Sequence, residues 1–84
     1  MVRDEYDPMA PVPRYRQIAA ILRRRIEAGE LEPDRPIPSE AAIEQEFGVA
    51  RQTARKAVAV LRDDWHLVKT VPGLGTYVMP EADR

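Results

Sequence analysis

Tyr15, Ile18, Ala19, Leu22 and Ile26 recur at the i, i+3, i+4, i+7, i+11 spacing of one buried helical stripe. The spacing predicts a first helix that begins near Arg14, just after Pro13, and stops at Gly29, a residue that turns left-handed without cost. Pro33, Pro36 and Pro38 then forbid helix. Leu31 and Ile37 offer two apolar anchors there, so the stretch reads as an extended connection with a few residues paired in a sheet. Ser39 is the expected N-cap of a short second helix, with Glu40 in its first turn, where the helix dipole favours a carboxylate. Ile43 and Phe47 are the apolar i, i+4 pair of that helix, and Gly48 can end it.

A third helix is predicted from about Arg51 to Asp64. At the α-helical period Ala54, Ala57, Val58, Leu61 and Trp65 share one arc. Arg51, Gln52, Arg55, Lys56, Ala59 and Arg62 share the opposite one. Beyond Trp65 the period changes. "LVKTV", "PGLG" and "TYVM" read as strand, turn and strand, with Pro72-Gly73 as the turn signal. Only Gly48, Val49 and Ala50 separate the second and third helices, which is the spacing of a helix-turn-helix. The expected fold is mainly α with a small β-hairpin (α+β): a winged helix-turn-helix of three helices and a two-stranded wing. Residues 14–79 form the domain, residues 1–13 a flexible arm and residues 80–84 a disordered tail.

Composition narrows the chemistry. The chain has 84 residues, enough for one domain of modest stability. It has no cysteine and one histidine, His66, so neither a metal site nor a nucleophile site is expected, and no cofactor. No apolar run approaches the roughly 20 residues of a membrane span, and "MVRDEYDPMA" lacks the apolar core of a signal peptide. The expected location is the cytoplasm.

The net charge of -1 conceals a segregation. Residues 14–25 carry five arginines and no acid, residues 27–46 carry seven acids against Arg35, and residues 51–62 carry four bases and no acid. Alternating blocks on a small domain suggest one surface meant for an anion and another kept away from it. Arginine can donate two hydrogen bonds to guanine, and glutamine can bracket adenine. Arg51, Gln52 and Arg55 fall at the N-terminal end of the third helix, the end that reaches base edges in helix-turn-helix docking. Lys56 and Lys69 read as phosphate neutralisers.

"IPSEAAI", "FGVARQTARKAVAVL" and "GLGTYV", in that order and at these separations, give residues 15–78 a close resemblance to the DNA-binding domain of the gluconate-repressor (GntR) family of bacterial regulators. The resemblance implies a third helix in the major groove and a wing at the adjacent minor groove. It implies that Arg51, Gln52, Thr53 and Arg55 read bases or hold phosphates, that Ser39 meets the DNA backbone, and that Gly73 sits at the wing tip. The implied function is sequence-specific binding of double-stranded DNA by a transcriptional repressor, on an inverted repeat if the protein dimerises. Family members continue into a C-terminal effector domain, and none is expected within these residues.

Four positions depart from the family pattern. Ala50 stands in place of a capping Ser or Thr, and His66 in place of a Gly. The wing tip carries no charge, and Asp34 replaces the Gly after Pro33. These departures and the acidic total charge keep an alternative open, a winged-helix module that binds a partner regulator rather than DNA. Arg23, Arg24 and Arg25 could form a second nucleic-acid or partner patch. Glu40, Glu44 and Glu46 read as solvated helix surface. No catalytic constellation is present, so an enzyme is not expected.

Overall fold

The structure is a computed structural model and describes Asp7 and residues 9–84. The first helix, α1, spans Arg14–Glu27 and starts directly after Pro13, whose φ of -53° is already close to helical. Ile18, Ala19, Leu22 and Ile26 are buried, as their spacing predicts. Ile21 is buried as well, although it lies off that stripe and outside the main core cluster. The helix closes with two backbone bonds of the Schellman type. Glu30 N–H donates to Arg25 O at 2.9 Å and Gly29 N–H to Ile26 O at 3.1 Å, which requires the left-handed φ of 83° at Gly29.

The proline-rich connection that follows lies along the hairpin. Asp34 N–H donates to Val78 O, Val78 N–H to Arg35 O and Ile37 N–H to Thr76 O, each at 2.9 Å. Pro36 bridges to Tyr77, and at this edge position its missing N–H costs nothing. Ile37 is driven into the core by this pairing. Asp34 takes a left-handed φ of 62°.

Helix α2 spans Glu40–Phe47. Ser39 caps it, with the Ala42 N–H donating to Ser39 Oγ at 3.1 Å. Gly48 ends it in a left-handed conformation, and α3 begins at Arg51. Ala50 occupies the N-cap of α3 with extended backbone and no side-chain cap. α3 packs on both α1 and α2.

The third helix departs from its predicted course after Ala59. Regular α-helix covers Arg51–Ala59, and Val60–Asp64 form a wider π-helical turn. Trp65 N–H reaches back five residues to Val60 O at 3.0 Å, and Leu67 N–H donates to Leu61 O at 2.8 Å across a left-handed His66, φ 53°. Val60, off the apolar arc at the ordinary α period, is buried because α1 packs against this turn as well as α3. Trp65 is half-buried against the core.

The wing consists of β1, Val68–Val71, and β2, Gly75–Val78, paired antiparallel with Val68 opposite Val78 and Lys69 opposite Tyr77. Its turn closes with Leu74 N–H on Val71 O at 3.0 Å. Pro72 at the second position and Gly73 with φ 78° at the third are the type II pattern. Val68 and Val78 anchor the wing in the single core shared by all three helices.

The described residues at both ends make local contacts. The Asp7 N–H donates to Gln17 Oε1 at 2.9 Å, and Gln17 Nε2 donates to Asp7 O and Val12 O at 2.8 and 2.9 Å. One side-chain amide thus ties the segment before α1 to its second turn. This link is invisible to periodicity because it joins residues ten apart. Residues 1–6 and 8 of the expected arm lie outside the described residues. At the other end, Glu81–Asp83 form a short 3-10 turn, and Arg84 Nε donates to Met79 O at 3.0 Å. Among the described residues no helix is long and apolar enough to cross a membrane.

Candidate nucleic-acid interface

The N-terminal half of α3 is held outward by its own packing. Ala54, Ala57 and Val58 are buried against the other helices, which leaves Arg51, Gln52, Arg55 and Lys56 exposed. Small residues on the inner face allow α3 to sit close to α2. Thr53, between the two faces, is half-buried. The Arg51 side chain is 72% exposed and that of Arg55 61%.

A carboxylate stands between these two arginines. Glu40 Oε1 lies 3.6 Å from Arg51 Nε and Glu40 Oε2 lies 3.8 Å from Arg55 Nε. These are ion-pair separations, too long for hydrogen bonds. Glu40 therefore does more than serve its helix dipole. The turn at Gly48 folds the start of α2 back beside the start of α3, and the capped first turn carries Glu40 into the basic cluster. The spacing of residues 40, 51 and 55 gives no sign of this. Only the crossing of two helices creates it.

Ser39 is exposed next to this cluster, with its hydroxyl oxygen occupied by the Ala42 N–H. Lys56 reaches the other way, with Nζ 5.8 Å from the centre of the Tyr15 ring, which also carries Arg16 at 5.7 Å. Lys69 is exposed on β1, and Gly73 is exposed at the wing tip beside Leu74, which is 71% exposed. A groove of about 440 Å³ runs between that tip and the start of α2, lined by Ile37, Ser39, Glu40, Leu74 and Thr76 among others. Arg51, Arg55 and Glu40 thus form one cluster beside Ser39, while Lys56 reaches toward Tyr15 and Lys69 stands exposed on β1.

Several of the remaining bases of the predicted charge blocks have partners within the fold. Arg62 does not join the α3 face. Its Nε and Nη2 donate to Asp63 at 2.9 and 3.1 Å, and its Nη1 donates to Thr70 Oγ1 at 3.2 Å, which links the π-helical turn to the wing. The hydrogen bonds from Arg62 hold the Asp63 carboxyl below the usual carboxylate range, and Asp63 in turn raises the Arg62 guanidinium. Arg25 forms a two-pronged pair with Glu46 of α2 and lies over the Phe47 ring at 5.8 Å. Glu46 is exposed, as expected, and also ties α1 to α2. Arg23 pairs with Glu27 at 3.3 Å and stacks on Trp65 at 5.0 Å. Arg23 and Arg25 consequently face different neighbours.

The family model for bacterial regulatory proteins of the gntR family matches residues 14–78. The mannosyl-D-glycerate transport/metabolism system repressor MngR of Escherichia coli is 42% identical over 73 residues, which is 87% of this chain and 30% of that protein. The HTH-type transcriptional repressor NagR of Bacillus subtilis is 41% identical over 69 residues, 82% of this chain and 28% of that protein. The chain thus spans under a third of the length of these curated relatives. Among solved structures, the DNA-binding domain of AraR in complex with operator ORX1 superposes with a TM-score of 0.76 at 36% identity, covering 86% of this chain and 88% of the other.

Proposed function

This chain belongs to the gntR family of bacterial regulatory proteins, and from that premise we propose that it binds double-stranded DNA sequence-specifically as a transcriptional repressor in the bacterial cytoplasm. α3 enters the major groove by its N-terminal half. Arg51 and Arg55 each present a planar fork of donors that matches O6 and N7 of guanine, and Gln52 can pair with adenine. Thr53, at the edge of the exposed face, meets a base or phosphate. Ser39 and the first backbone N–H groups of α2 meet a phosphate, as helix N-termini do. Lys56 and Lys69 neutralise phosphates without reading sequence. The hairpin lies at the adjacent minor groove with Gly73 at its tip, where the absence of a side chain allows close approach.

The observation that carries this reading is the outward, solvent-exposed position of Arg51 and Arg55 on a helix whose other face is wholly buried. A DNA-binding domain solved in complex with an operator, similar over 86% of this chain, supports a duplex as the ligand. A single domain of this size covers a small interface, so tight operators would present two half-sites to two copies, about one helical turn apart. Selection from randomised duplexes with the purified chain tests the proposal. A consensus containing guanines is expected, and Arg55→Ala should weaken binding to it by about 1–3 kcal/mol while relaxing the preference at one position. No enriched sequence, or unchanged affinity and preference in Arg55→Ala, would refute it. The first result, joined to tight capture of a regulator protein, would favour the partner-binding module.

A further inference from the structure

We infer that Glu40 is a specificity-determining residue: it orients the two reading arginines and repels phosphate from them, so that the site is tuned for bases over backbone. The inference rests on the DNA-binding reading above. Three features carry it. Glu40 stands at ion-pair distance from both Arg51 and Arg55, and it approaches the same atom, Nε, in each. Nε is the stem-side nitrogen of a guanidinium. An anion there biases the plane of the group and leaves its tip, the Nη pair, as the edge presented to a ligand. The pair at the tip is also the edge that matches guanine O6 and N7. Finally, Glu40 is the less exposed partner. Its side chain is 36% exposed against 72% and 61% for the arginines, and it stands in a first helical turn fixed by the Ser39 cap.

The electrostatic consequence differs between ligands. A phosphate is a full anion and meets repulsion from Glu40 wherever it approaches either arginine. A guanine edge offers neutral acceptors and meets almost none. One carboxylate shared between two cations therefore leaves the cluster attractive to DNA, with local charge +1 from two arginines and one glutamate, while lowering its hold on arbitrary backbone. Nonspecific binding is almost wholly electrostatic, so it is the component most affected.

Two variants separate orientation from repulsion. Glu40→Gln keeps the size and removes the charge. Glu40→Asp keeps the charge and the helix-dipole interaction but withdraws the carboxylate from both Nε atoms. Binding to the selected duplex and to a random duplex is measured for each across a salt series. Glu40→Gln is expected to bind random duplex several-fold more tightly, with a salt slope steeper by about one. Its ratio of specific to random affinity should fall roughly tenfold. Glu40→Asp is expected to keep wild-type affinity for random duplex and to lose affinity for the selected one. A parallel shift of both affinities in Glu40→Gln, or a wild-type ratio in Glu40→Asp, would overturn the role of Glu40. If the wild-type chain selects no sequence at all, the DNA-reading proposal fails and takes this one with it. The two failures are therefore told apart by the wild-type control.

Discussion

His66 holds a left-handed backbone with φ 53°, a conformation that costs an L-residue with a Cβ about 1–2 kcal/mol. It is exposed, and its backbone geometry is what lets the chain turn from the π-helical turn into β1. Part of the strain is offset because glycine loses more freedom on folding. His66→Gly is therefore expected to raise stability by roughly 0.5–1 kcal/mol, measured by urea unfolding. Ala50 is a second local deficit. The N-cap of α3 has extended backbone ready to receive a capping side chain and none is present. Ala50→Ser should add about 1 kcal/mol. For a domain of this length that is a rise of roughly 4–8 °C in melting temperature. Both sites were legible in the sequence through the family resemblance, which has a capping Ser or Thr and a Gly where Ala50 and His66 stand. Glu40 was not. Its identity suited a helix start, and nothing local to it points to Arg51 and Arg55.

Among the elements, the three helices and the hairpin follow from periodicity and turn chemistry, since each is specified by residues a few positions apart. What escaped are the ties between elements. That the proline-rich stretch pairs a few residues in a sheet was expected, but its partner strand, β2, was not, because the pairing uses backbone groups that carry no sequence signature. The widening of the third helix depends on α1 packing against it. The bridge from Arg62 to Thr70 joins the π-helical turn to the wing, where the regular α-helical period put Arg62 on the basic face. This bridge has a testable pH signature through Asp63. Its carboxyl is held below the usual range in the folded state. The contribution to stability is thus present above the unfolded carboxylate pKa, about 3.9, and lost as pH falls through the lowered folded value. Arg62→Ala should melt below the wild type at pH 7, and the gap should narrow as the pH is taken below about 4. A gap that stays constant over that range would show that Asp63 contributes nothing through Arg62.

At the scale of the whole molecule, a chain of net charge -1 is proposed to bind a polyanion, so attraction has to come from where charge sits rather than from its sum. The fold achieves this in part by pairing four arginines outside the candidate interface with its own carboxylates. Arg16 approaches Asp64 at 3.9 Å, Arg23 meets Glu27, Arg25 meets Glu46 and Arg62 meets Asp63. The outward cations at the candidate interface are then Arg51, Arg55, Lys56 and Lys69, each exposed. Their number limits the counterions a bound duplex can release, so the logarithm of affinity should fall with the logarithm of salt at a slope of only about -2 to -4 per domain. The two lysines and the two arginines should divide by behaviour. Lys56→Ala and Lys69→Ala are expected to weaken selected and random duplexes by the same factor and to reduce the slope by about one each. Arg55→Ala should instead fall mainly on the selected duplex, because a base contact is lost along with the charge. Titrations at several salt concentrations with both duplexes decide the matter. If Lys56→Ala proved as sequence-selective in its effect as Arg55→Ala, Lys56 would have left the Tyr15 ring to read a base, and the division of the α3 face into readers and neutralisers would be wrong.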